Sequence, residues 1–468
     1  MITLLNRSVG VPVGGLSRPK KRPATTLALI VVNIVVYAIT SYENFFLEIS
    51  DYWVSAGGFI PSLAAAPLQW YRIFSSMFLH ADFFHILFNM YFLYLFGRAV
   101  EDALGRLRFA ALYLISGVAA SIFHTAFSFL GGYAAYVIPA IGASGAISGV
   151  LGAYLIFFPG TSLVMGWAFL FLPVFFRLKA AYYLIFWFAT QVIYGYARLG
   201  GSTAVFAHAG GFIAGIALLP LVADKDRLVQ FRLARQAFFP AYVVFTFIRK
   251  AGLSRTTKTI VAALLASLLF GAAYASTGLS IQESIKSATV QYSFEGTPYT
   301  DFVGVKLPDV EDQIASVSLD TTRILLSRLY FAGLLYDNAK ANKDLSISNR
   351  IVQLQVKIGE KVVPVELELV HFIGHYDGDG FLSRGVGQLA TQIILIDPRG
   401  TISLSNLVSY NFAVDSQTVN LTYITQYSGI LSLVSTAAAF NVAVRKDEEL
   451  TLIGEESEGL WRPFSQAI

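Results

Sequence analysis

The chain has 468 residues, of which 55% are hydrophobic and 14% are charged, and its mean hydropathy is +0.60. Soluble domains are typically about 25% charged, so part of this chain is expected to lie in lipid. The absence of cysteine excludes disulfides, cysteine-ligated zinc, iron–sulfur clusters and a cysteine nucleophile, and 38 Phe with 24 Tyr exclude disorder as the main theme.

Seven segments are apolar over enough residues to cross a bilayer, which takes about 20 residues in a helix. They lie near 25–42, 78–97, 109–130, 143–159, 180–197, 203–221 and 259–278. Another apolar segment, 161–176, is interrupted by Pro173. We interpret it as an interfacial or re-entrant loop that packs on the bundle.

Arginine and lysine indicate how these spans are oriented. Basic residues cluster before the first span, between the second and third, before the fifth, and in 223–258. All four clusters fall on one side if seven spans alternate, and the positive-inside rule makes that side cytoplasmic. The acidic half beyond Glu283 is then predicted to lie outside. Segment 223–258 could instead lie flat on an anionic leaflet, although a plain basic tether is preferred.

Polar side chains inside predicted spans mark function or a helix contact. His85 and Asn89 are four residues apart, on one face of the second span. Ser144 stands in Gly-Ala-Ser-Gly at the mouth of the fourth span, and His208 precedes Gly-Gly in the sixth. Serine hydrolysis needs a nucleophile, a base and donors for the oxyanion, and these residues could supply all three.

Small residues make this convergence feasible. Gly149 and Gly152, like Gly211 and Gly215, put glycines about one turn apart on two helices, which lets the helix backbones approach closely. No Asp or Glu falls in the fourth, fifth or sixth span, so a hydrolase here would use a Ser–His dyad. Taken singly, such a motif is more often helix packing than catalysis.

Three stretches together resemble the rhomboid family of intramembrane serine proteases: FLHADFFHILFNMYFLYLFGRAVED, IGASGAISGVLGAY and FAHAGGFIAGI. The resemblance covers roughly 25–221 and implies a six-helix core that cleaves transmembrane substrates near the outer membrane face. It implies that Ser144 is the nucleophile and His208 the general base. It also implies that His85, Asn89 and the backbone amide of Ser144 stabilise the oxyanion, with no cofactor, metal or nucleic acid.

The chain departs from this family in two places. The family's Trp-Arg of the first loop appears here as Tyr71-Arg72, and a Tyr that stacks on the base in some members is replaced by Ser148. What orients His208 is therefore left open. We interpret His80 as a satisfied polar contact and His124 as a helix–helix hydrogen bond.

Residues 279–468 have a different character. Alternating runs such as VQLQVKI (352–358) predict strands of a sandwich-like domain, with one amphipathic helix near 321–340. The charge-free run 416–444 could span a membrane, but its Asn, Gln, Ser and Thr favour paired strands. We expect this domain to be separable from the core, and its ligand is unknown.

A cluster of metal-capable side chains lies in the same half, and we interpret it as a plain hairpin turn rather than a metal site. Its members are His371, His375, Asp377 and Asp379.

The sequence thus predicts an α-helical polytopic protein of the cell membrane with a C-terminal β-rich extracytoplasmic domain. Its predicted parts are a cytoplasmic tail (1–24), a six-span core (25–222), a basic linker (223–258), a seventh helix (259–278) and the outer domain (279–468). The predicted function is a serine endopeptidase whose partners are transmembrane substrates and membrane lipid. The alternative is a catalytically silent module that binds client helices, and a transporter is disfavoured because no charged path crosses the bilayer.

Overall fold

The computed structural model describes residues 11–14, 22–132, 134–169, 172–200, 203–223, 253–281, 284–294, 297–306, 344–358, 361–377, 382–396 and 402–445. Their helices are α1 (Ala24–Ser41), α2 (Asp51–Gly57), α3 (Tyr71–Ser75), α4 (Phe83–Phe92), α5 (Arg98–Leu104), α6 (Arg106–Phe127), α7 (Ala134–Val137), α8 (Ser144–Phe157), α9 (Ala180–Tyr196), α10 (Val205–Ala217), α11 (Leu219–Val222), α12 (Arg255–Ser276) and α13 (Leu421–Phe440). A π-helical turn, Leu93–Gly97, joins α4 to α5. A helix therefore lies at each of the seven predicted positions.

Five helical segments are long and apolar enough to cross a membrane: Ala24–Asn44, Phe83–Leu104, Arg106–Gly131, Arg255–Ser276 and Leu421–Val444. The apolar helices α8 and α10 are shorter. The second segment begins five residues later than predicted because Asp82 caps it, accepting a hydrogen bond from the backbone N–H of His85 at 2.8 Å.

A buried carboxylate joins the start of α1 to α5. The Glu101 side chain accepts hydrogen bonds from the backbone N–H groups of Thr25 and Thr26, at 2.9 and 2.8 Å, and from the Thr26 hydroxyl at 2.7 Å. The first N–H groups of a helix have no partner within it. Glu101 therefore caps α1 from a neighbouring helix.

Helices α8 and α10 touch through their backbones. A Cβ atom added at Gly211 would overlap the carbonyl of Gly145, and one added at Gly215 would overlap the carbonyl of Gly149. A Cβ atom added at Gly152 would likewise overlap the carbonyl of Phe212. The predicted close approach of these two helices is therefore present, and nothing larger than glycine fits at the contact.

The segment 161–176 is not an irregular loop. It forms most of a β-hairpin, β2 (Ser162–Phe169) and β3 (Leu172–Lys179), and β1 (Val11–Gly14) pairs with β2. Strand pairing satisfies the backbone polar groups that a loop would leave open. Pro173 is tolerated because β3 is the edge strand of this three-stranded sheet.

The C-terminal half contains a six-stranded antiparallel sheet in the order β5-β4-β9-β8-β7-β6. The strands are β4 (Ser284–Phe294), β5 (Thr297–Lys306), β6 (Asp344–Ile358), β7 (Lys361–Tyr376), β8 (Leu382–Ile396) and β9 (Ile402–Asn420). Among the described residues beyond 279 there is no other sheet, so the second layer that a sandwich requires is not found there. The predicted helix near 321–340 lies outside the described residues.

The predicted hairpin turn after Asp377 lies outside the described residues, between the antiparallel strands β7 and β8. His375 Nδ1 lies 2.8 Å from Asp344 Oδ1 on the neighbouring strand, and His371 also lies on β7. Asp379 lies outside the described residues. Among the residues with described positions, no group of three His, Asp or Glu side chains could hold a metal ion.

The prediction of paired strands over 416–444 is wrong beyond Asn420. Residues Leu421–Phe440 form α13, and Asn420 caps it by accepting a hydrogen bond from the backbone N–H of Tyr423 at 3.0 Å. The polar residues do not prevent the helix because they bond within it, as Thr436 Oγ1 does to the Ser432 carbonyl at 2.7 Å.

Helix α13 packs on α6, α10 and α12. Gly429 lies directly against the backbone of α12 at Ala275 and Ser276. Because Ser284 of β4 pairs with Asn420 of β9, the sheet is an insertion between two neighbouring helices of the bundle. Removing everything after residue 279 would also remove α13, and the separability of this half stays a prediction.

The base of the sheet, formed by the start of β4 and the end of β9, contacts the end of the bundle at which α8 begins. The Tyr136 hydroxyl of α7 lies 2.6 Å from Thr425 Oγ1 of α13, within hydrogen-bonding distance. A small apolar cluster surrounds this contact, formed by Tyr136, Val137, Ile285, Val419, Leu421 and Ile424. The sheet and the start of α8 therefore lie at the same end of the protein.

We expect Gly211→Ala to lower the free energy of unfolding by about 1–3 kcal/mol, because the new methyl group must push α10 away from α8. Thermal unfolding in detergent micelles would measure this change. Gly160→Ala is the matched control, since nothing lies within 4 Å of the position its Cβ would take. Equal stability of the two variants would contradict the backbone contact.

Candidate active site

Ser144 is the first residue of α8 and follows a tightly held turn. Gly142 has φ +126°, a conformation that favours glycine, and its N–H donates to the carbonyl of Ser76 at 2.8 Å. Ala140 and Phe59 exchange two backbone hydrogen bonds, at 2.8 and 2.9 Å. The backbone before Ser144 is therefore held by hydrogen bonds to residues of the first loop, which lies between α1 and α4.

His208 lies on α10, and its Nε2 is 2.7 Å from Ser144 Oγ. Hydrogen bonds between a hydroxyl and a ring nitrogen have this length. The pair forms although the two residues are 64 positions apart in the chain, because α8 and α10 are in backbone contact one turn further along. The structure thus brings together the two residues that the sequence singled out.

Gln191 of α9 lies on the other side of the His208 ring. Its Oε1 is 2.9 Å from His208 Nδ1. Sequence reasoning missed this residue because it searched the spans for an acidic partner. The signal that could have found it is a polar amide in an otherwise apolar helix.

Ser148 and Trp187 are two further neighbours of the dyad. Ser148 is buried and donates from Oγ to the carbonyl of Ser144 at 2.6 Å, so it binds the helix backbone. The Trp187 ring lies 6.1 Å from the His208 ring, centroid to centroid, at an angle of 34°. An aromatic ring from α9 therefore lies near the histidine.

His85 of α4 faces the turn before Ser144. Its Nδ1 accepts a hydrogen bond from the backbone N–H of Ala81 at 3.2 Å, so in the neutral ring Nε2 carries the proton. A Cβ atom at Gly142 would lie 2.7 Å from this Nε2 and 3.6 Å from Ser144 Oγ. An N–H donor therefore points into the space beside the Ser144 hydroxyl.

Asn89 is buried one turn after His85 on the same helix. Its Nδ2 donates to the carbonyl of His85 at 2.8 Å, which uses one of its two N–H groups. His80 precedes α4 and is fully buried, with its ring packed edge-to-face on that of His85 at 5.1 Å.

A cavity of about 50 Å³ opens beside Ser144. Its lining includes Gly142, Ser121 and His124. His124 was predicted to join two helices, but no hydrogen bond links its ring to another described residue, and it forms part of the cavity wall.

The Tyr71-Arg72 pair stabilises the first loop. Arg72 is buried, and its guanidinium donates to Gln69 Oε1 and to the carbonyls of Ser55 and Gly58 at 2.7–3.0 Å. Burial lowers the pKa of Arg72 to about 10, so the side chain stays charged at neutral pH. The Tyr71 hydroxyl donates to the carbonyl of Ala56 at 2.9 Å, so this residue also makes a polar contact within the loop.

Comparison with known proteins gives a consistent result. Residues 67–225 match the Rhomboid domain. Rhomboid protease AarA of Providencia stuartii is 32% identical over 146 residues, which cover 29% of this chain and 50% of that protein. Putative rhomboid protease YdcA of Bacillus subtilis is 38% identical over 99 residues, which cover 20% and 44%.

A third relative, Rhomboid protein 1, mitochondrial, of Saccharomyces cerevisiae, is 30% identical over 138 residues, covering 30% of this chain and 38% of the relative. The chain thus spans half or less of the length of each of these three proteins. The matched region contains Ser144, His208 and Gln191 but not α12, the C-terminal sheet or α13.

Proposed function

Since residues 67–225 belong to the rhomboid family, we propose that this multi-pass membrane protein is an intramembrane serine endopeptidase that cleaves transmembrane protein substrates. The observation that carries the proposal is the 2.7 Å contact between Ser144 Oγ and His208 Nε2. A serine hydroxyl is a weak nucleophile until a base within hydrogen-bonding distance takes its proton.

In the proposed first step, Ser144 Oγ attacks the carbonyl carbon of the scissile peptide while His208 Nε2 takes the hydroxyl proton. The tetrahedral intermediate then collapses, the C–N bond breaks, and His208 returns the proton to the leaving amine. In the second half-reaction, water takes the place of the serine hydroxyl as nucleophile and gives its proton to His208. The ester bond to Ser144 then breaks, and His208 returns the proton to Ser144 Oγ. Both products leave with atoms and charge in balance.

Three donors are proposed to stabilise the oxyanion. Ser144 begins α8, so its backbone N–H belongs to the first turn, where N–H groups have no partner within the helix. His85 supplies its Nε2–H, since its Nδ1 is already an acceptor. Asn89 supplies the N–H that does not bind the His85 carbonyl. Donors placed before the reaction need no reorganisation when charge develops.

The active site is proposed to open on the outer side of the membrane, with the sheet above it. The basic segments of the chain argue for a cytoplasmic N-terminus. The sheet lies at the bundle end where α8 begins, which supports a common side for Ser144 and the sheet. The proposed location is the cell membrane.

We expect Ser144→Ala and His208→Ala each to abolish cleavage of a model transmembrane substrate in liposomes, and the double variant to be little worse, because the residues act as a unit. Labelling by a fluorophosphonate probe should also require Ser144. Ser267→Ala, a serine of α12 bonded to the Leu264 carbonyl, is the matched control. A wild-type protein that binds the substrate without cleaving it would support the silent module instead.

Loss of one oxyanion donor should lower kcat about 10²–10³-fold. We expect this for His85→Ala and Asn89→Ala, with KM little changed, in the same liposome assay. Asn33→Ala is the control. Asn33 is a buried asparagine of α1 that donates to the Leu29 carbonyl, and its replacement should leave kcat unaltered. Normal turnover in both α4 variants would reduce His85 and Asn89 to structural residues.

Helix α13, as a span additional to the seven predicted ones, changes the expected location of the C-terminus. An epitope inserted between β6 and β7 should be accessible from outside intact cells. One placed after residue 445 should become accessible only when the membrane is opened, as should one in the basic segment 223–258. An externally accessible C-terminal epitope would refute α13 as a span.

A further inference from the structure

We infer that Gln191 is a positioning residue that fixes the tautomer of His208, so that the dyad is completed by a neutral third member. The inference rests on the proposed function of Ser144 and His208. It concerns a residue for which the motifs of the chain give no role.

The direction of the Gln191 amide follows from its other contacts. Its Nε2 lies 3.4 Å from the carbonyl of Trp187 and 3.3 Å from Thr190 Oγ1. A backbone carbonyl can only accept, so the amide NH₂ must face Trp187. Thr190 donates its own proton to the same carbonyl at 2.6 Å and is free to accept from Gln191. Gln191 Oε1 is therefore the atom presented to His208.

An amide oxygen is an acceptor, so the ring nitrogen facing it must carry a proton. With Gln191 Oε1 2.9 Å from Nδ1, the neutral His208 ring has its proton on Nδ1 and its lone pair on Nε2. That lone pair points to Ser144 Oγ at 2.7 Å. The other tautomer would turn Nε2–H toward the serine and leave no base.

The same contact serves after proton transfer. The His208 imidazolium has two N–H groups, and the Gln191 oxygen continues to accept from Nδ1–H while charge develops on the ring. An aspartate would supply this bond with a full negative charge, whose desolvation inside a bilayer is costly. A glutamine orients the ring and places no permanent charge in the bundle.

The placement of Gln191 is local to α9. Trp187 lies one helical turn earlier, and its carbonyl anchors the amide while its ring lies near His208. A substitution at Gln191 can therefore remove the acceptor without disturbing the α8–α10 contact that sets the Ser144 distance.

Gln191→Met keeps the length and packing of the side chain and removes the amide oxygen. We expect kcat in liposomes to fall about tenfold with KM unchanged, an effect of the size that one neutral hydrogen bond typically has. Gln191→Glu restores an acceptor and should recover most of the loss. Ile193→Met, at an exposed position of the same helix, is the control.

The tautomer itself can be read by ¹⁵N NMR of histidine-labelled protein, because the chain has only six histidines and His208→Ala assigns the signal. Wild type should show protonated Nδ1, and Gln191→Met should shift the ring toward protonated Nε2. Gln191→Leu takes the place of the methionine variant if that protein does not fold. The role of Gln191 would be overturned if Gln191→Met left the tautomer unchanged, or left kcat unchanged while Ser144→Ala was inactive. Neither result would contradict the Ser144–His208 dyad. If the wild type cleaves nothing, the proposed function fails and the NMR result alone decides the role of Gln191.

Discussion

The backbone contact between α8 and α10 is the constraint on which the site depends. Gly211 and Gly215 bring α10 against the carbonyls of Gly145 and Gly149, and this spacing places a short serine side chain within 2.7 Å of a histidine ring. Helices separated by larger side chains lie about 8–10 Å apart, axis to axis. At such a separation Ser144 Oγ would not reach His208. The glycines are therefore part of the site as much as the residues they bring together.

A second constraint is the assignment of protons on two histidines. His85 accepts a backbone N–H at Nδ1, whereas His208 faces an amide oxygen at Nδ1. The two rings consequently present opposite functions to Ser144, a donor from His85 Nε2 and an acceptor from His208 Nε2. Histidine serves both purposes because its hydrogen-bond partner, not its identity, decides which nitrogen is protonated.

Sequence reasoning predicted what depends on residue type and spacing. Ser144, His208, His85 and Asn89 were found because each is a polar exception in an apolar helix. Gln191 is the same kind of exception, but it is uncharged, and only the fold shows that its oxygen faces His208. The helix α13 was missed for a different reason. Its Ser and Thr residues resemble those of a strand, and only packing on α12 and bonds within the helix make them compatible with a span.

The loop before Ser144 contacts both the first loop of the chain and the C-terminal half. On one side, Ala140 pairs with Phe59 of the first loop. On the other, Tyr136 meets Thr425 of α13 within an apolar cluster that includes Ile285 and Val419 from the sheet. The chain enters and leaves the sheet through the neighbouring helices α12 and α13, and the sheet residues nearest these helices pack against this loop. The turn that sets the position of the Ser144 hydroxyl is therefore supported by residues from the core, from α13 and from the inserted sheet.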